Sequence, residues 1–168
     1  MRPLPSRGSN IYDAVDVAKR PLVSGTVLVV DPSIGSRSSA PGYAIYRAGE
    51  LQESGILLID PDAPKWDRLR EVHRQLRNIG KRLDPDVLVY EDVPVSAHGG
   101  RSQVSHASLL MAVGAALAAV ASPHVVPMPP VSWKRWVRPE YQKGDEADAI
   151  EIGWITIEMA RNILDGQK

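Results

Sequence analysis

The run Thr26–Val27–Leu28–Val29–Val30–Asp31–Pro32–Ser33 constrains the chain more than any other stretch. Consecutive apolar, mostly β-branched residues predict a strand buried on both faces, the signature of a central strand in a covered sheet. Pro32 has no amide hydrogen to give a ladder, so the strand stops there, directly after a carboxylate. Sheets of this kind place their chemistry beyond the strand ends, which makes Asp31 the first candidate functional residue.

A second run behaves in the same way. Val87–Leu88–Val89–Tyr90 predicts another buried strand, and it ends at Glu91 and Asp92. Between the two lie Gly42–Tyr43–Ala44–Ile45–Tyr46–Arg47 and Glu53–Ser54–Gly55–Ile56–Leu57–Leu58–Ile59, strands whose short connections predict an antiparallel meander of three with the first. Trp66, Leu69, Val72, Leu76, Ile79 and Leu83 then recur at helical spacing, and Asp84–Pro85–Asp86 closes that helix. Its outer face carries Arg68, Arg70, Arg74, Arg77, Lys81 and Arg82, which reads as a solvated face or as a phosphate-facing flank. A helical crossover of this length makes the flanking strands parallel and right-handed. If those strands are neighbours, Asp31 and Glu91 meet at one edge.

Downstream, the Ser-, His- and Gly-rich stretch from Val93 to Ser105 leads into an Ala-rich helix around Leu109–Val120. His124–Met128 is a short strand, placed at an edge by Pro127. Ser132 is a plausible N-cap for a helix over Ser132–Val137. The last helix opens at Asp145–Glu146–Ala147–Asp148 and runs on through Ile150, Ile152, Trp154, Ile155, Ile157 and Met159. Asp145 and Asp148 share a face of its first turn. The helix dipole also favours acids there, so by itself this turn reads as a cap. Residues 1–25, punctuated by Pro3, Pro5, Gly8 and Pro21, read as an N-terminal extension or arm with a short helix over Ile11–Lys19, ahead of a domain over 26–168.

Composition narrows the chemistry. The 168 residues carry 20 basic and 20 acidic side chains and no cysteine, so thiolate zinc sites, disulfides and cysteine nucleophiles are excluded. The longest apolar run, Leu109–Ala121, is too short and too Ala-rich to span a bilayer, and the N-terminus has no apolar signal core. The expectation is a cytoplasmic protein of one domain. Asp31, Glu91, Asp145 and Asp148, if clustered, would repel one another without a cation among them. Oxygen-only donors suit Mg2+, with Mn2+ as a substitute. Two such ions about 4 Å apart activate a water and stabilise the leaving oxygen of a phosphodiester.

These motifs, in this order, resemble those of RuvC-type Holliday-junction resolvases. Val30–Asp31–Pro32–Ser33 with Gly42–Tyr43–Ala44–Ile45 is similar to their opening motif, with Ser33 where glycine is usual. Val89–Tyr90–Glu91–Asp92–Val93 is similar to the second acidic motif, Ser108–Val120 to the Leu/Gly/Ala-rich helix, Ser132–Trp133–Lys134 to a turn with a functional lysine, and Asp145–Glu146–Ala147–Asp148–Ala149–Ile150 to the closing Asp-x-x-Asp-Ala motif. The resemblance spans about residues 26 to 160. It implies an α/β, RNase H-like fold with a mixed central five-stranded sheet and helices on both faces. It also implies a homodimer that makes paired, metal-dependent nicks across a four-way DNA junction. Asp31, Glu91, Asp145 and Asp148 would be the metal ligands and, with Lys134, the catalytic set. Phosphate contacts would come from Arg101, Lys134, Arg135, Arg138 and Lys143. The segment Arg138–Gly144 is short for the family, so Lys143 stands in for a missing basic residue, and Pro94 replaces an aromatic of cellular members. Such trimming resembles a divergent or phage-type member, acting in a bacterial or phage-infected cell. Other branched DNA (flaps, forks) and a non-cleaving branched-DNA-binding module are the alternatives. An actin-like ATPase needs two such halves and glycine-rich phosphate loops, and the chain is too short for them.

Overall fold

The computed structural model describes residues 10–32, 40–92, 120 and 122–166. The elements in chain order are α1 (Asn10–Ser24), β1 (Thr26–Asp31), β2 (Gly42–Arg47), β3 (Glu50–Ile56), α2 (Lys65–Leu83), β4 (Val87–Glu91), β5 (His124–Met128), α3 (Pro130–Trp133) and α4 (Asp145–Leu164). The strands form one five-stranded sheet in the order β3-β2-β1-β4-β5. β1 pairs antiparallel with β2 and β2 with β3, while β1 with β4 and β4 with β5 are parallel. The mixed sheet, the meander and the edge position of the proline-bearing strand are as the sequence predicts.

β1 sits in the middle of this order, and Val27 through Val30 are fully buried, as a central strand covered on both faces must be. The pleat sends alternate residues to opposite faces. Val27, Val29, Val87 and Val89 join one core with α1 and α4. Leu28, Val30, Ile45 and Leu88 join a second core with Leu69, Val72 and Leu76 of α2. Helices therefore cover both faces. Asp86 locks the start of the central pair, because its carboxylate accepts the Thr26 amide hydrogen at 2.7 Å and its own amide donates to the Thr26 carbonyl at 2.9 Å.

Several expectations need correction. The N-terminal segment is not a loose arm over residues 10–24. Ile11, Val15, Ala18 and Leu22 fall on one helical stripe, and Val15 and Leu22 are completely buried against α4 and the sheet. α1 also continues past Lys19 through Pro21 to Ser24. A domain boundary at residue 25 would cut through this core. β3 begins at Glu50, earlier than Glu53, because Ala48 and Gly49 both take positive φ and close a tight hairpin directly onto the Arg47–Glu50 pair. Trp66, placed on the buried stripe of α2, is 66% exposed on its first turn. Ser132 is not a cap: α3 opens at Pro130, whose fixed φ and missing amide hydrogen suit a first helical turn, and Ser132 lies inside it. The predicted helix around Leu109–Val120 lies outside the described residues except for Val120, which packs over Gly80 of α2.

Because Leu22 is completely buried in the core shared by α1 and α4, Leu22→Ala is expected to cost about 3 kcal/mol of stability. Urea denaturation measures this. A change within a few tenths of a kcal/mol would restore the picture of a peripheral arm.

Candidate functional site

The site is built from strand register first. Val30 pairs with Tyr90 in the parallel β1–β4 ladder, so Asp31 and Glu91, one residue further on each strand, are lateral neighbours at the same end of the sheet. The pleat gives both the facing of Val29 and Val89, towards the core shared with α4. Both are buried, Asp31 to 2% and Glu91 to 7% exposure. Two ionised carboxylates about 4.8 Å apart, the strand spacing, repel by about 3 kcal/mol at an effective dielectric near 20, so this end of the sheet needs donors or cations.

The second pair of acids arrives on α4. Gly42, the β2 partner of Asp31, lies under its first turn, where a Cβ would stand 1.9 Å from the Asp145 carbonyl oxygen. Glycine at this position is what lets the helix start against the sheet beside Asp31. Gly153 repeats the device further along α4, where a Cβ would come within 2.4 Å of the Tyr46 ring. Asp148 lies on the same first turn as Asp145, and its amide donates to the Gly144 carbonyl at 2.7 Å.

Each acid has a partner. Asp145 Oδ2 accepts the Ala40 amide hydrogen at 3.3 Å. Glu91 Oε1 accepts from Trp133 Nε1 at 3.0 Å and is 3.4 Å from Lys134 Nζ, which also sits 5.1 Å above the Trp133 ring. The Tyr141 hydroxyl donates a short hydrogen bond to Asp148 Oδ1. Burial, that bond and the negative fields of Asp148, Glu151 and Asp31 together hold the Tyr141 phenol above its usual range, so it stays a donor at neutral pH.

The sequence predicts a ready cluster of four carboxylates; the structure brings them to one end of one sheet face as two pairs. Among the described residues, no three acidic or histidine side chains stand close enough to share one cation. In donor chemistry the set still fits a hard divalent ion, since all four groups are carboxylates. Among the described residues, hydrogen bonds reach only Oε1 of Glu91 and only Oδ1 of Asp148.

The expected phosphate-binding cations divide. Lys134, Arg135 and Lys143 are exposed, Lys134 beside Glu91, and Arg101 lies outside the described residues. Arg138 instead turns inward. Its Nη2 is 2.7 Å from Glu151 Oε1, its Nε donates to the same oxygen at 2.8 Å, and its backbone amide donates to Oε2 at 3.2 Å. Its guanidinium lies 5.0 Å from the Trp154 ring. Glu151 is only 3% exposed, so this ion pair anchors the segment before α4 to the core. Its hydrogen bonds to Glu151 raise the Arg138 pKa further above its already high value. Sequence reasoning missed Glu151, Tyr141 and the indole of Trp133. Glu151 carried a readable signal, a carboxylate between Ile150 and Ile152 on an apolar helix, which demands a cation nearby.

The described elements define an RNase H-like fold, with a mixed five-stranded sheet and its acids at the carboxyl ends of the two central parallel strands. The chain resembles RuvC of Thermus thermophilus in that fold. The structure titled "T. thermophilus RuvC in complex with Holliday junction substrate" matches with a TM-score of 0.61 at 16% sequence identity, covering 82% of this chain and 95% of that chain. A second Thermus thermophilus RuvC structure matches with a TM-score of 0.57 at 17% identity, covering 82% of this chain and 96% of that one. No protein-family model matches the sequence, and no curated protein matches it.

Two outcomes test this geometry. Gly42→Ala is expected to push the first turn of α4 off the sheet and to destabilise by at least about 2 kcal/mol, read by chemical denaturation. Arg138→Ala, which strands the Glu151 carboxylate in the core, is expected to cost about 3 kcal/mol in the same assay; a neutral result would show that Glu151 has another compensating partner.

Proposed function

We propose that this chain is a structure-selective DNA endonuclease that resolves four-way junctions by paired, metal-dependent phosphodiester hydrolysis. One observation carries the reading: Asp31, Glu91, Asp145 and Asp148, distant in sequence, come to one end of one sheet face. The likeness to a RuvC solved with a Holliday junction substrate supports it. A pure binding module has no use for so much negative charge facing phosphates.

In this reading the four carboxylates hold Mg2+ or Mn2+, two ions per site, which would supply an activated water and charge stabilisation at the leaving oxygen. Lys134, already within 3.4 Å of Glu91, offers its ammonium to the scissile phosphate. Arg135 and Lys143 grip the flanking backbone and fix its register without reading sequence. Arg138 takes no part in DNA contact, because it is committed to Glu151. A two-fold dimer of the chain would present two such sites to a junction with matching symmetry, so that the nicks fall in a symmetric pair.

The test uses end-labelled four-way junction, flap and linear duplex, each with Mg2+, Mn2+ or EDTA. Symmetric nicks confined to the junction are expected with either ion and none with EDTA. Asp31→Asn is expected to lose more than the roughly 100-fold that removal of an outer partner of a ligand causes. Cutting in EDTA, or full activity of Asp31→Asn, overturns the mechanism. Equal cutting of flaps and junctions overturns the junction preference, and binding without cutting points to the recognition module.

A further inference from the structure

Residues 133 to 141 touch both halves of the site at once. Trp133, at the end of α3, donates its indole hydrogen to Glu91 on β4. Tyr141 donates its hydroxyl hydrogen to Asp148 on α4. The two rings meet edge to face, with centroids 6.3 Å apart and planes at 81°, an attractive aromatic geometry. Trp133 is completely buried, so its ring is fixed by its surroundings. Between the two in sequence, Arg138 pins the segment to buried Glu151 through both its backbone amide and its guanidinium.

We infer that Trp133 and Tyr141 are positioning residues: one anchored segment that sets the separation and rotation of Glu91 and Asp148 for a shared cation. This rests on the metal reading proposed above. Each aromatic donor occupies one carboxylate oxygen, Oε1 of Glu91 or Oδ1 of Asp148. That fixes the carboxylate rotation and presents the second oxygen for coordination. Hydrogen bonds to ligating carboxylates generally act in this way, and their loss weakens metal binding about 10- to 100-fold. Coupling the two donors through one ring contact makes the spacing of the ligands a property of the segment. Neither strand nor helix sets it alone.

The test is Mn2+ binding to the full chain without DNA, followed by the electron paramagnetic resonance signal of the free ion. Melting followed by circular dichroism reports whether each variant is folded. Tyr141→Phe keeps the ring and removes only the hydroxyl; it is expected to weaken Mn2+ binding about tenfold with the cooperative melt retained. Trp133→Phe is expected to do the same through Glu91. Because both donors act through one segment, the double variant is expected to lose less than the product of the two single losses. Unchanged affinity in folded Tyr141→Phe overturns the inference, and fully multiplicative losses overturn the coupling. If the unsubstituted chain fails to bind Mn2+, the metal reading itself falls and this inference with it. Binding by the unsubstituted chain with no effect of either variant leaves that reading standing and removes only the positioning role.

Discussion

The parallel pairing of β1 with β4 is the contact on which the rest of the structure depends. Its register brings Asp31 beside Glu91, and a slip of one residue would send every side chain of one strand to the opposite face. Such a slip is blocked from both sides. Val27, Val29, Val87 and Val89 are matched to one core, and Leu28, Val30 and Leu88 to the other, all buried. The Asp86 bonds to Thr26 pin the opposite end of the ladder. The apolar burial that stabilises the sheet is thus also what aims the two acids.

How much of this is legible in the sequence depends on whether the signal is local. A strand buried on two faces must be apolar throughout, so β1 and β4 announce themselves, and so do the acids that end them. The meander follows from short connections and the crossover from α2. α1 is harder to read: its stripe of Ile11, Val15, Ala18 and Leu22 is interleaved with charges, and the helix includes Pro21, a residue that normally argues against one. Only the surfaces that α4 and the sheet offer it explain why that stripe is buried.

The site divides along the same line. Asp31, Glu91, Asp145 and Asp148 are visible because their positions at strand ends and a helix start are local facts. Their hydrogen-bond partners are not. Tyr141 reads as a polar loop residue and Trp133 as one tryptophan among four until the fold brings them to Asp148 and Glu91. Arg138 looks like any loop cation, and what pairs it is a carboxylate thirteen positions later on the buried face of α4. Glycine 42 is equally silent: its small size matters only because Asp145 must pass directly over it.

α4 packs with α1 on one face of the sheet, and its first turn carries two of the four acids. It is also the last of the described elements to be synthesised. While earlier parts emerge, α1 can pack only against the sheet, and the sheet end holds only Asp31 and Glu91. The contacts that complete the site join residues more than a hundred positions apart, and such long-range closure comes late in folding. In a nascent chain of this design the four acids stay apart: they come together only after α4 has been made and has docked against the sheet beside α1.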